Sequence, residues 1–138
     1  MNNNLFEKFK ALNLPIGEYA IFGSGPMAIR GLREPTDIDL VVTEKFFEEL
    51  EKSSQWKKEK SCLGSDMLVH REPRLEVEAL TEWMPGVWDI EGLIKNADII
   101  DGLAFVKLEE VLRWKKMRDK EKDKKDTEAI EEYLNKKI

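Results

Sequence analysis

At 138 residues, 41% hydrophobic, 37% charged and with a formal charge of -5, the chain has the size and composition of one compact acidic domain, residues 1–138. That balance excludes a disordered or fibrous chain and disfavours a protein that tracks duplex nucleic acid, which needs a basic face. The longest apolar runs fall far short of the roughly 20 residues that span a bilayer, and Met1 to Phe9 is polar and amphipathic, so a cytoplasmic protein without a membrane partner is expected.

Leu5, Phe6, Phe9 and Leu12 recur at helical spacing, and Pro15 marks the end of that first helix. The period then changes. Tyr19-Ala20-Ile21-Phe22 reads as a short buried strand entering the turn Gly23-Ser24-Gly25, and Pro26 opens a short helix to about Leu32. After Glu34-Pro35-Thr36, the segment Asp37 to Val42 reads as a second strand, and Glu44 to Lys52 as a helix capped by Thr43. Strands are predicted around Trp56 to Lys60, Asp66 to Arg71 and Arg74 to Leu80, with turns at Leu63-Gly64 and Glu72-Pro73. Thr81 to Gly92, with Trp83, Pro85, Gly86 and Trp88, is expected as an aromatic surface loop. A short helix and a hairpin at Asp101-Gly102 follow, and two helices from Leu108 onward flank a charged connection, Asp119 to Asp126. The core is thus expected over about 15–106 and the closing helices over about 107–138.

Cys62 and His70 are each the sole residue of their type, so neither a disulfide framework nor a Cys/His zinc cage can be built. A half-buried thiol and a strand histidine are expected rather than a Cys-His nucleophile pair. The chemistry concentrates in YAIFGSGPMAIRGLREPTDIDLVV, a strand, a glycine-serine turn, a helix and a strand that opens with two acids. Side chains two apart on a strand share a face, so Asp37 and Asp39 project together, roughly 7 Å apart at the backbone. Like charges so placed repel unless a cation lies between them, and Mg²⁺, with its demand for hard oxygen ligands, suits the place. The Gly23-Ser24-Gly25 turn offers backbone N–H groups and a hydroxyl to phosphate. In RLEVEAL, Glu76 and Glu78 again share a face; Glu76 is favoured as a third carboxylate, with Glu78 the alternative. The loose dinucleotide pattern at Gly23 to Ala28 does not extend to a Rossmann protein, because the acids here begin the second strand instead of ending it, and a P-loop is absent.

This arrangement resembles the nucleotidyltransferase superfamily related to DNA polymerase β, whose signature is Gly-Gly or Gly-Ser, about a dozen residues, Asp-x-Asp or Asp-x-Glu, and a later acid on another strand. Gly23, Ser24, Asp37, Asp39 and Glu76 fill those places. The stretch LEEVLRWKKMRDKEKDKKDTEAI resembles the closing helices of small bacterial members of the lincosamide and aminoglycoside type, with Lys115, Lys122, Asp123 and Asp126 in the family's layout. The resemblance implies an α+β nucleotidyltransferase fold, a mixed β-sheet flanked by helices with a C-terminal helical pair. It implies transfer of an NMP, AMP foremost, from an NTP such as ATP to a small-molecule, protein or RNA hydroxyl, with pyrophosphate release. Two Mg²⁺ ions, with Mn²⁺ as a substitute, would be held by Asp37, Asp39 and Glu76, while Ser24 and Lys115 approach the triphosphate. The alternative implied by the same superfamily is a nucleotide-binding or antitoxin-type module that engages a partner protein without transfer.

Overall fold

The computed structural model describes residues 4–61, 64–118 and 120–136; Cys62, Leu63 and Asp119, and with them the expected thiol and part of the expected turn, lie outside the described residues. Among the described residues the architecture is α+β, a seven-stranded mixed sheet with six α-helices. In chain order these are α1 (Asn4–Lys10), β1 (Tyr19–Phe22), α2 (Gly25–Ala28), β2 (Ile38–Val42), α3 (Glu44–Glu51), β3 (Lys57–Lys60), β4 (Asp66–Glu72), β5 (Leu75–Leu80), α4 (Ile90–Lys95), β6 (Asp98–Ile100), β7 (Leu103–Phe105), α5 (Leu108–Arg118) and α6 (Lys124–Lys136). Among the described residues no helix is long and apolar enough to cross a membrane.

Strand order is β3-β4-β5-β2-β1-β7-β6. β1 and β2 are antiparallel, whereas β5 runs parallel to β2 and β7 parallel to β1. The central pair is buried on both faces, which explains why YAIF is apolar throughout instead of alternating. One face packs Ile21, Leu40 and Val77 against Phe6 and Phe9 of α1 and Phe46 of α3. The opposite face packs Ala20, Phe22 and Val41 against Leu93 of α4, Val111 and Trp114 of α5 and Ile130 of α6. Edge strand β3, Lys57 to Lys60, is charged and exposed, a composition that discourages edge-to-edge association.

Three expectations need correction. The helix after Pro26 is a single turn ending at Ala28, because successive tight turns from Met27 carry the chain round to Leu32. The segment Thr81 to Gly92 is loop only as far as Asp89, since α4 begins at Ile90. Trp83 stacks on Phe22 at 4.3 Å, Trp88 meets the same ring edge-on, and Asp89 caps α4 by accepting from the Gly92 N–H at 3.1 Å. The charged connection is shorter than the composition suggests, because a 3-10 turn at Glu121–Asp123 leads directly into α6.

That shortening has an electrostatic cause. Asp123 is 3% exposed and accepts from Lys115 at 3.3 Å and from Arg118 Nε at 2.9 Å, while Lys115 also lies 3.2 Å from Asp126, itself bound by Arg33 at 2.9 Å. These charges tie α5, α6 and the 32–36 segment together. Removing one partner from a buried pair leaves the other charge uncompensated, which typically costs several kcal/mol. Asp123→Asn is therefore expected to reduce unfolding free energy by about 3 kcal/mol, read as a lower urea midpoint with an unchanged slope; an unchanged midpoint would show these charges to be effectively solvated.

Candidate functional site

The site begins where β1 ends. Phe22 pairs with Asp39 across the antiparallel ladder, and the next residue, Gly23, leaves the sheet at φ +66°. A Cβ on Gly23 would lie 2.6 Å from Asp39 Oδ2. Two independent constraints therefore demand glycine here, a left-handed backbone and a carboxylate pressed against the turn. Ser24 and Thr36 share a hydroxyl hydrogen bond at 3.0 Å, which closes the excursion between β1 and β2. A Cβ on Gly25 would come 2.3 Å from Ile21 Cγ2, so the start of α2 sits tightly on β1.

The acids converge because β2 and β5 are parallel neighbours in a register that sets Asp39 opposite Glu78. Two-residue periodicity then puts Asp37, Asp39, Glu76 and Glu78 on one face of the sheet. Oxygens of Asp37, Glu76 and Glu78 all lie within 4.8 Å of one another, a grouping able to hold a metal ion, while Asp39 sits deeper beside Gly23. Both candidates for the third carboxylate are thus present. Glu78 is the direct cross-strand neighbour of Asp39, whereas Glu76 is held by Arg71 Nε at 2.9 Å.

This cluster is short of positive charge. Among the described residues no lysine or arginine forms an ion pair with Asp37, Asp39 or Glu78. Burial, then Glu78, Asp37 and Glu76 in that order, push the Asp39 carboxyl up to about 7. Burial and a hydrogen bond with Glu76 also raise Glu78. Carboxylates left in this state fit a divalent cation, since hard oxygens would coordinate it and it would remove their repulsion.

Apart from Arg71 on Glu76, the cations near the acids are paired elsewhere. Lys115, expected to reach a triphosphate, is 3% exposed and engaged by Asp123 and Asp126. Arg118, which sequence reasoning missed, occupies the more open position. Its guanidinium is forked onto Asp123 and lies 4.2 Å over the Trp114 ring. It lines a cavity of about 530 Å³ with Arg33, Thr36, Lys122 and Lys125, and a second of about 440 Å³ with Asp39, Met67, Glu78, Trp83 and Trp114. The available signal was the four-residue spacing from Trp114, which puts the cation over the ring on one helix face. His70 is a buried strand histidine, as expected, bridging the Gln55 carbonyl at 3.0 Å and Glu72 at 2.9 Å. No protein family, curated protein or solved structure matches the chain.

The Asp39 environment makes a signed prediction for the metal-free protein. Its folded pKa, about 7, lies above the ordinary value of 3.8. Below that ordinary value both states are protonated and burial costs nothing. As pH rises toward 7 the unfolded chain ionises first, so stability falls, and above 7 the full cost is present. Asp39→Asn should therefore gain stability relative to wild type between about pH 4 and pH 7, by up to about 4 kcal/mol, and hold a constant gain above. Parallel pH–stability curves for the two proteins would show that Asp39 is not held in a charge-hostile site.

Proposed function

We propose that the chain is a Mg²⁺- or Mn²⁺-dependent nucleotidyltransferase with the DNA polymerase β-like fold, moving an NMP from an NTP, foremost ATP, to an acceptor hydroxyl. The observation that carries this reading is the convergence of Asp37, Glu76 and Glu78, with Asp39 behind them against a glycine turn whose Cβ position its carboxylate occupies. Acids alone would not distinguish it from a structural cluster. The turn beside them, where Gly23, Ser24 and the first N–H groups of α2 come together, and the cationic cavity that continues past Thr36 to Arg118 supply what a triphosphate requires.

Asp37, Asp39, Glu76 and Glu78 are the oxygen donors available for the cation. When bound, the metal lowers the pKa of the attacking hydroxyl and neutralises phosphate charge. The chain's own residues do the rest. Backbone N–H groups after Gly23 and the Ser24 hydroxyl receive the non-bridging phosphate oxygens, and Arg118, oriented by Asp123 and Trp114, faces the departing pyrophosphate. A bond forms between the acceptor oxygen and the α-phosphorus as the α–β phosphoanhydride bond breaks. The hydroxyl proton passes to Glu78, whose carboxyl is already raised by burial and by its Glu76 neighbour. Lys115 contributes by fixing Asp123, and so Arg118, instead of touching phosphate.

Incubation with each NTP labelled at the α-phosphate, Mg²⁺ and a cell lysate tests the reading, with label transfer and pyrophosphate release as paired readouts. Asp39→Asn and Asp37→Asn are expected to abolish transfer while remaining folded. Magnesium should raise the melting temperature of wild type and not of the Asp37→Asn/Asp39→Asn double variant. Arg118→Lys keeps the charge but loses the planar fork and is expected to raise the KM for NTP about tenfold. A wild-type protein whose melting temperature ignores Mg²⁺ and Mn²⁺ and that releases no pyrophosphate from any NTP would remove the proposal.

A further inference from the structure

The hairpin joining β4 to β5 turns through Pro73 and Arg74, with Glu72 and Leu75 paired at its base. Pro73 has a fixed negative φ, so the reversal falls on Arg74, which adopts φ +66°. That region penalises a Cβ, and at this place in a turn glycine or asparagine is usual. The Arg74 side chain is exposed and, among the described residues, makes no ion pair or hydrogen bond. Beside it, Lys8 of α1 donates to the Pro73 carbonyl at 3.0 Å, a tie across 65 residues of sequence that uses one of the ammonium's three N–H groups.

Both cations line a cavity of about 590 Å³ whose wall continues through Thr36 to Asp37 and Glu76. Of the other charges there, Arg71 is bound to Glu59 and Glu76 and Glu72 to His70, while the carboxylates of Glu34 and Asp37 also line the cavity. Lys8 and Arg74 are left facing a space that also opens onto the acids. The volume is that of a small-molecule site. The turn sets the positive φ at residue 74, and the arginine there puts a guanidinium at the wall of this cavity.

We infer that Lys8 and Arg74 form an oxyanion subsite for the acceptor, which is a small molecule bearing a phosphate or carboxylate in addition to the hydroxyl that is modified. The word acceptor rests on the transferase reading; the anion subsite does not. Arginine supplies the fork that binds either group in bidentate fashion, and lysine adds a point charge at its flank.

The subsite is tested on the full chain without divalent ions, by NMR titration with inorganic phosphate and separately with acetate at constant ionic strength. Saturable shifts of the Arg74 Nε–H and of Lys8 are expected; a response to phosphate alone assigns a phosphorylated acceptor, and to acetate alone a carboxylate. Arg74→Gly, which relieves the left-handed backbone, should bind about tenfold more weakly while melting no lower than wild type. Arg74→Asn serves as the second variant that tolerates the same backbone. No saturable shift at Arg74 with either anion, shifts confined to Arg33, Arg118 and Lys122, or undiminished binding by both variants would overturn the inference. Anion binding at Arg74 in a protein that releases no pyrophosphate from any NTP would leave the subsite standing and remove the transferase, and the opposite pair of results would remove the subsite alone.

Discussion

Repulsion among Asp37, Asp39, Glu76 and Glu78 is the constraint around which the rest of the chain is arranged. Two carboxylates at the separations seen here repel by about 3 kcal/mol at an effective dielectric of about 20, a substantial share of the net stability of a small domain. A fold can retain such a cluster only where the backbone beneath it cannot relax. β2 and β5 meet that requirement because they lie inside the sheet, in a register fixed by apolar residues on the other face, Ile38, Leu40, Val77 and Ala79. Slipping β5 by one residue would separate the acids but turn Val77 and Ala79 out of the core, and that loss exceeds the relief.

Arg71 reaches Glu76, but the cations on the opposite side of the site are held by acids of their own. Lys115, Arg118 and Arg33 are bound by Asp123 and Asp126, so three cations meet two anions, and the surplus charge falls on the side chains that line the cavities. On the proposed reading this separation serves an anion and a cation that arrive together, the anion on the arginine side and the cation among the carboxylates.

Much of this was legible because it depends on local periodicity. The two-residue spacing of Asp37 and Asp39 and of Glu76 and Glu78 fixed their shared face, and Pro26 and Thr43 marked helix starts that the structure retains. What was not legible depends on contacts between distant segments. The parallel register of β2 and β5, which sets Glu78 and not Glu76 opposite Asp39, follows from side chains packed across the sheet. Charge runs are equally opaque in one dimension. Lys107 to Lys125 reads as a solvated helix face, yet Lys115 and Asp123 are each 3% exposed, because pairing between α5 and the turn that follows it can bury what composition assigns to water. Arg118 was missed for the same reason, since its position follows from Asp123 and Trp114 together.

The aromatic wall connects these two halves of the site. Phe22 lies beneath Trp83, with Trp88 and Trp114 edge-on to it, and it immediately precedes Gly23 in the chain. The Trp114 indole donates to the Met84 carbonyl at 3.0 Å and the Trp88 indole to Pro85 at 2.8 Å, so the 83–88 segment is tied to α5 by one hydrogen bond and folded on itself by another. Among the described residues, Trp83 alone keeps a buried indole N–H without a partner, a cost the stacked geometry tolerates in order to fill the space over Phe22. Because Phe22 is paired with Asp39 on the ladder and Trp114 carries Arg118 on its face, one aromatic cluster sets the positions of Asp39 and of Arg118. A displacement of α5 would therefore move Arg118 and disturb the turn at Gly23 together, so the cavity between them is held by packing from both sides instead of being left to the mobility of a loop.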